Sequence, residues 1–333
     1  MPSDGRVTRP ARPAAGTRLA GRASRRPGGR TPSGHRTAGV ALALAASLSN
    51  QGGASAGAVA MTSLGAPGVV AVRQVVAALA LNAVAHPAWR SVDRRTWLLV
   101  VALAAVMGTM NLTLFAAIDR IGLGLAVTLE FLGPLAVAVG SSRRAVDVLA
   151  ALLAALGVLV LVRPGPSSDV AGIALALVAA AMWAGYILLN RALGPRLPGL
   201  GGATAATTVL ALTWSLPVLV VTLLAGPPWQ AVALAVVCGL LSSAVPYAAD
   251  LSALRLLPAS LFSTLASANP VWAFAAGALV LHQEVTSHEV VGALLVAAAN
   301  AAAAVRWRRR RALQRAAPPP PRRCRPAESE PVR

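Results

Sequence analysis

The residue whose type and position most clearly indicate functional chemistry is Glu130, an acid inside the apolar run at 122–140. A carboxylate in such a run must face the protein interior or a water-filled cavity, where it can bind a cation or exchange a proton. Pro134 follows four residues later and removes the N–H that would bond the Glu130 carbonyl, which predicts a kink at this point. We therefore interpret Glu130 either as a ligand for an ammonium group or a proton, or as a structural partner of Arg73 or a neighbouring amide.

Pro246 and Pro270 also lie in apolar runs, later in the chain. Pro270 would free the carbonyl of Ala266, and Pro246 has the same effect on its own helix. Pro134, Pro246 and Pro270 are therefore predicted to break helices that line a cavity and to act in gating. The alternative is simple kinking without substrate contact, because proline is common in membrane helices.

Other polar side chains in apolar runs are candidates for substrate contact. Arg73 stands roughly 9 Å into its run at 1.5 Å per residue, where it either holds a substrate carboxylate or snorkels to the surface as an anchor. Asn50, Gln51 and Asn111 are amides that either contact a ligand or tie helices together. Gly53 and Gly57 form a small-xxx-small pair, which predicts close helix packing.

Three aromatic residues stand near these positions. Trp183 and Tyr186 are spaced i, i+3, which places them on one face of a helix, and Tyr247 follows Pro246 directly. Each could cover a ligand, and each could equally belong to an interfacial belt or to core packing.

The residue types that most enzymes and metal proteins need are sparse. The four histidines lack the spacing of metal ligands, and the cysteines, Cys238 and Cys324, cannot form a disulfide framework. An intramembrane serine protease would need a Gly-x-Ser-Gly turn and a histidine within another span. We therefore expect no catalytic residue, no metal site and no cofactor.

Composition indicates that the elements carrying these residues lie in a bilayer. The 333 residues are 56% hydrophobic and only 12% charged, and mean hydropathy is +0.66. Helices of about 20 residues span a membrane. The apolar runs predict ten, at 38–60, 67–86, 96–117, 122–140, 145–162, 170–191, 203–225, 230–249, 258–281 and 287–305.

The net charge of +19 belongs mainly to the two ends of the chain. Residues 1–36 and 306–333 are rich in arginine and are expected to be disordered cytoplasmic tails. The loops predicted to lie on the same side as the two tails contain more arginines than the opposite loops. Because cytoplasmic loops carry the excess of arginine, both termini are predicted to be cytoplasmic. The Arg143–Arg144 pair and the cluster at 308–311 are expected to anchor topology and attract anionic lipid, and nucleic-acid binding is not expected.

The apolar body contains an internal repeat. The segment AIDRIGLGLAVTLEFLGP at 117–134 matches ALRLLPASLFSTLASANP at 253–270 with a constant offset, which aligns Pro134 with Pro270. This predicts two halves of five helices, at 37–165 and 166–305. An odd number of helices in each half places the halves in opposite orientations, and such inverted repeats are typical of secondary transporters with a midplane site.

Several motifs together resemble the EamA-type branch of the drug/metabolite transporter superfamily, and in particular its exporters of threonine and homoserine in the bacterial inner membrane. They are SNQGGAS at 49–55, GAPGVVAVRQ at 65–74, LGLAVTLEFLGPLAVAV at 123–139, SSRRAVD at 141–147, MWAGYIL at 182–188 and LSSAVPYAADLSAL at 241–254. The resemblance implies ten helices, a central cavity, and efflux of small metabolites in exchange for protons. It also predicts a glutamate just before the second proline, where this chain has Asn269.

The residues and the resemblance together predict an inner-membrane exporter of small polar metabolites, with neutral amino acids such as threonine or homoserine favoured. Expected partners are the small-molecule substrate, protons as coupling ion and anionic lipids. Another metabolite or a drug is the alternative cargo. An intramembrane enzyme is a weaker interpretation, and so is a membrane scaffold that binds a partner through its proline-rich C-terminal tail. The sequence does not fix the oligomeric state.

Overall fold

The computed structural model describes residues 33–85, 92–140, 145–162, 169–197, 199–246, 249, 256–257 and 265–316. Within these residues every regular element is helical, as composition predicts. The α-helices are α1 Ser33–Val84, α2 Arg94–Ile121, α3 Leu123–Glu130, α4 Leu132–Gly140, α5 Ala145–Val162, α6 Val170–Leu193, α7 Gly201–Leu210, α8 Leu216–Leu224, α9 Trp229–Gly239, α10 Asn269–Val280 and α11 Ser287–Ala316. Tyr247 and the Arg143–Arg144 pair lie outside the described residues.

The helices have the length and surface that a bilayer requires. Four described segments are long and apolar enough to cross a membrane, namely 37–84, 94–121, 170–193 and 201–224, and shorter apolar helices accompany them. Large aliphatic side chains face outward, including Leu79, Leu224 and Leu279 at 68%, 82% and 78% exposure. Because lipid is as apolar as these side chains, their exposure stabilises the protein in a membrane and not in water.

Helix α1 contains two of the expected spans, joined without a loop. Its only non-helical residue is Gly65, with φ 65° and ψ 167°, and Pro67 follows two residues later. A positive φ costs glycine nothing because it lacks Cβ, so the chain bends here without losing its helical structure on either side. The sequence predicts a connection at 61–66, and the structure reduces it to this one residue.

The proline-bearing segments are interrupted at corresponding positions. A single turn residue, Phe131, separates α3 from α4, three residues before Pro134. A turn at Ser267 and Ala268 precedes α10, and its first residue also stands three before the proline. The offset between the two interruptions is the one that aligns the repeated sequences. Both halves therefore break the helix just before the proline that cannot donate to it.

Two other prolines follow π-helical turns. Ala211–Ser215 precedes Pro217 and Leu240–Ala244 precedes Pro246, so each expected span at 203–225 and 230–249 contains a widened turn. In both cases the first N–H after the turn donates to the carbonyl five residues earlier, from Leu216 to Ala211 and from Val245 to Leu240. A π-helical turn leaves room for a proline ring and often marks functional positions in helices.

Helix α11 extends beyond its expected end at residue 305 to Ala316. Its last turns include the arginine cluster at 308–311 and are rich in alanine, arginine and leucine, which are strong helix formers. The part of the chain expected to be a disordered tail therefore begins as helix.

The principal helix pairs join the first half of the chain, residues 33–162, to the second half, residues 169–316. Helix α1 packs on α9, α2 on α6, α3 on α10, and α5 on α11. The main buried cluster draws side chains from both halves, including Phe115 and Leu129 from the first and Phe274 and Val296 from the second. Polar residues in these interfaces are consequently shared between the halves.

Candidate functional site

Arg73, in the second part of α1, turns its guanidinium into the protein. Its Nη1 donates a hydrogen bond to Asn111 Oδ1, and its Cζ lies 5.7 Å from the centre of the Phe115 ring. Asn111 Nδ2 donates to the Met107 carbonyl at 2.8 Å, which directs Oδ1 towards the arginine. Arg73 Nε is buried and has no hydrogen-bond partner among the described residues. One strong donor is thus left for another acceptor.

Glu130, the last residue of α3, lies close enough to Arg73 to interact with it electrostatically. Its side chain is only 7% exposed. The two residues nevertheless make no ion pair, since the ion pair found within the described part of the chain joins Arg120 to Asp169. A buried carboxylate and a partly buried arginine therefore interact electrostatically without forming a direct ion pair.

Close helix packing holds α1, which carries Arg73, against α2, α9 and the π-helical turn at 240–244. A Cβ on Gly57 would lie 2.6 Å from the Phe115 ring and 2.8 Å from Cys238 Sγ. A Cβ on Gly53 would lie 2.4 Å from Ser242 Oγ. The small-xxx-small pair thus lets α1 approach α2, the end of α9 and the π-helical turn that follows it more closely than larger residues would allow.

Asn269 corrects one expectation about the prolines. Its Nδ2 donates to the Ala266 carbonyl at 3.0 Å, which is the carbonyl that Pro270 cannot bond. The oxygen expected to be free is therefore occupied by the side chain of the neighbouring asparagine. Asn269 Oδ1 in turn accepts a long hydrogen bond of 3.5 Å from Gln51 Nε2, and Gln51 is 2% exposed with its Oε1 unpartnered among the described residues.

Two serine contacts next to this pair escaped prediction. Ser49 Oγ donates to the Leu241 carbonyl at 2.8 Å, and Ser242 Oγ donates to the Asn50 carbonyl at 3.1 Å. Asn50 thus contributes its backbone to this contact. The sequence signal that could have suggested these contacts is the Ser242–Ser243 pair in an apolar run just before Pro246. A serine hydroxyl among apolar residues needs a hydrogen-bond partner, and a backbone carbonyl is the usual one.

The structure separates Trp183 from Tyr186, the two aromatic candidates that lie within the described residues. Trp183 packs edge-to-face on Phe131, with ring centroids 4.7 Å apart, at the interruption between α3 and α4. Tyr186 instead packs against a second buried cluster that includes Leu103 and Met107. Trp183 therefore borders the helix break beside Glu130, whereas Tyr186 belongs to the interface of α2, α6 and α7.

A polar group of contacts lies at the end of the bundle that holds Gly122, Asp169 and Gln283, here called the Gly122 end. Gln283 Oε1 accepts from the Leu123 N–H at 3.1 Å, beside Gly122 with φ 80°. Asp169 accepts from the Gly172 N–H at 2.8 Å and pairs with Arg120 at 3.0 Å. The hydrogen bond from the Gly172 N–H, and to a smaller extent the interaction with Arg120, lowers the pKa of the Asp169 carboxyl. These contacts join the two halves at this end.

No three His, Cys, Asp or Glu side chains of the described residues lie together in a way that could hold a metal ion.

The fold and the site define a class: within the described residues, an all-helical membrane protein in which helices from the two parts of the chain pack together and bury Glu130 and the amides Gln51 and Asn111. Residues 170–303 match the EamA-like transporter family. The threonine/homoserine exporter RhtA of Escherichia coli strain K12 is 36% identical over 271 residues, covering 77% of this chain and 88% of that protein. RhtA of Salmonella typhimurium strain LT2 is 37% identical over 262 residues, covering 76% and 86%. The chain belongs to the EamA-like transporter family.

One solved crystal structure aligns with a TM-score of 0.48 and 18% identity, covering 84% of this chain and 99% of that chain. The family membership makes the protein a membrane transporter and not an enzyme.

Proposed function

We propose that this protein exports neutral amino acids such as threonine or homoserine across the bacterial inner membrane, by proton-coupled alternating access. The relatives named as threonine/homoserine exporters support the substrate class. The proposed architecture is ten membrane helices in two inverted five-helix repeats at 37–165 and 166–305, with both termini cytoplasmic. The bend at Gly65, the paired interruptions before Pro134 and Pro270, and helix pairs that join the halves support it.

The observation that carries the proposal is the separation of Arg73 from Glu130. An amino acid has a carboxylate and an ammonium group on one carbon, so it can satisfy two opposite charges that do not touch each other. Its carboxylate would accept from Arg73, including the unpartnered Nε, and its ammonium would bind Glu130. Each charge-assisted hydrogen bond contributes about 1.5–3 kcal/mol.

Glu130 also supplies the proposed coupling group. A substrate ammonium and a proton would compete for the same carboxylate, so that binding one releases the other. The two interrupted segments beside this site are candidates for the gating movement, because a helix that is already broken can reorient with little loss of hydrogen bonding. The lipid contacts of the arginine clusters are part of the same proposal.

Everted membrane vesicles test the proposal, since export appears in them as uptake. Labelled threonine is supplied outside with an imposed proton gradient, and uptake by the wild type is compared with Glu130→Gln. Glu284→Gln is the matched control, because it makes the same chemical change at an exposed loop residue. We expect gradient-dependent uptake in the wild type and the control, and at least about a tenfold loss in Glu130→Gln.

Two results would count against parts of this proposal. Uptake that persists in Glu130→Gln at equal membrane abundance would remove the carboxylate from the mechanism. A well-inserted wild type that takes up no threonine or homoserine would direct the search to another metabolite or a drug.

A further inference from the structure

A chain of constraints begins at Pro270 and ends at Gln51 Oε1, a buried oxygen without a hydrogen-bond donor among the described residues. Proline has no N–H, so the Ala266 carbonyl loses its helical donor. Asn269 Nδ2 replaces that donor at 3.0 Å. Since only the nitrogen of an amide side chain can donate, this contact fixes which way Asn269 points and presents its Oδ1 to Gln51.

The same logic fixes Gln51. Asn269 Oδ1 is an acceptor, so Gln51 must direct Nε2 towards it, as the 3.5 Å contact shows. Gln51 Oε1 then points away from the pair. It is buried, and no described residue donates to it. Flipping the Gln51 amide would place two oxygens against each other, so the orientation cannot be exchanged to relieve the unpaired acceptor.

The amide pair lies at the depth of Glu130. Helices α3 and α10 run antiparallel and meet where Gly124 approaches the Phe274 ring and Leu123 approaches Gly277. At 1.5 Å per residue, Glu130 is about 9 Å and Asn269 about 7.5 Å from the Gly124–Phe274 contact along their helices, in the same direction. Glu130 and Asn269, the partner of Gln51, therefore lie at a similar depth in the bundle, as a ligand that contacts both Glu130 and Gln51 requires.

We infer that Gln51 determines specificity by accepting a hydrogen bond from the side-chain hydroxyl of the transported amino acid. This inference rests on the proposed function, and it adds a role that the charged pair cannot fill. Arg73 and Glu130 recognise groups common to all amino acids, whereas Gln51 Oε1 accepts a hydrogen bond only from substrates with a side-chain donor. Asn269 is a positioning residue, because it acts on the substrate through Gln51.

Threonine and valine provide a matched pair of substrates, since a methyl group replaces the hydroxyl at almost unchanged volume. Valine bound at this site would leave Gln51 Oε1 buried and unpaired, as in the structure described here. The wild type should therefore prefer threonine to valine about tenfold in competition for uptake. A wild type that takes up threonine but accepts valine equally well overturns the inference without any variant.

Gln51→Met removes the acceptor and keeps the length of the side chain. We expect the affinity for threonine to fall about tenfold while that for valine is unchanged or improves, so that the preference disappears. Asn300→Leu is the matched control, because Asn300 is a buried amide that donates to the Val296 carbonyl of its own helix. Its threonine preference should equal that of the wild type.

Thermal stabilisation of the purified proteins by each amino acid measures binding independently of turnover, so a Gln51→Met protein that binds but does not transport still gives an answer. An unchanged threonine-to-valine ratio in Gln51→Met overturns the inference, as does the same collapse in Asn300→Leu. A wild type that neither transports nor is stabilised by either amino acid overturns the proposed function, and the inference with it. If transport of both persists and only the ratio fails to change, the proposed function survives and the role of Gln51 does not.

Discussion

The two interrupted segments share a backbone and differ in chemistry. In the first half the break follows Glu130, and Gly133 is the residue before the proline. In the second half the corresponding positions hold Ala266 and Asn269. One break therefore carries a charge and no side chain beside the proline, while the other carries no charge and a side chain that repairs the backbone. The two halves therefore repeat the interruption of the helix but differ in the side chains that stand beside it.

The difference has a packing cause as well as a chemical one. A Cβ on Gly133 would lie 2.3 Å from the Ala180 carbonyl oxygen of α6, so the first half has no space for an amide there. The second half has that space and uses it to bond the Ala266 carbonyl. In the proposed mechanism, Glu130 at the first break binds both the substrate ammonium and the proton. Asn269 at the second break positions Gln51, which recognises the substrate side chain.

The largest expected effect comes from moving the acid between the breaks. The double change Glu130→Ala with Ala266→Glu should reduce threonine uptake at least about tenfold, as Glu130→Ala alone does, because Arg73, held by Asn111, interacts with an acid at position 130. Uptake in everted vesicles is the measurement, with membrane abundance checked for each variant. Recovery of uptake in the double variant would show that the two breaks are interchangeable.

A second prediction concerns the space beside the prolines. Gly133→Ala should destabilise the protein by roughly 1–3 kcal/mol, because a backbone oxygen cannot move aside as a flexible side chain would. Gly185→Ala on α6 is the control, since its Cβ would meet Val106 at an ordinary 3.7 Å. Thermal unfolding in detergent compares the two. Equal unfolding temperatures would mean that the first break has room for a Cβ beside its proline, and packing would then not explain why Gly133 stands where the second half has Asn269.

The third prediction removes the repair in the second half. Asn269→Leu leaves the Ala266 carbonyl and Gln51 Nε2 without partners, so it should cost about 1–2 kcal/mol of stability. Asn190→Leu on α6 is the control, because it makes the same chemical change at an amide whose Nδ2 donates to the Tyr186 carbonyl of its own helix. Thermal unfolding should show a smaller change for this control. If Asn269→Leu is no worse, the amide does not compensate for Pro270.

The breaks themselves could be predicted from sequence because their causes are local. A proline removes a hydrogen bond four residues back wherever it stands in a helix, and a glycine without Cβ allows the bend at Gly65. Glu130 stood out by type alone. The role of Asn269 also had a local signal, since an asparagine one residue before a proline is within reach of the carbonyl that the proline leaves unbonded.

The remaining features depend on contacts between distant parts of the chain. Arg73 turns inward because Asn111 and Phe115 lie beside it, and neither neighbour is visible from its own segment. Trp183 and Tyr186 were predicted to share a helix face, yet i, i+3 positions differ by about 60° around a helix. That difference is enough for Trp183 to meet Phe131 while Tyr186 enters another cluster.

The smallest expected effect lies at the junction of the halves, where Asp169 of the second half pairs with Arg120 of the first. Asp169→Asn retains an acceptor for the Gly172 N–H and removes the charge. The Asp169 carboxyl has a pKa below its ordinary 3.8. Its contribution to stability is therefore present above that value and is lost as pH falls through the lowered pKa.

Thermal unfolding between pH 7 and about pH 3 measures this contribution. The wild type should unfold at a slightly higher temperature than Asp169→Asn at pH 7, and the difference should shrink towards the acid end and in high salt. Asp119→Asn, which changes an exposed acid one residue before Arg120, is the control variant. A difference that stays constant with pH would assign the effect to cap geometry, and the electrostatic link between the halves would then be absent at this end.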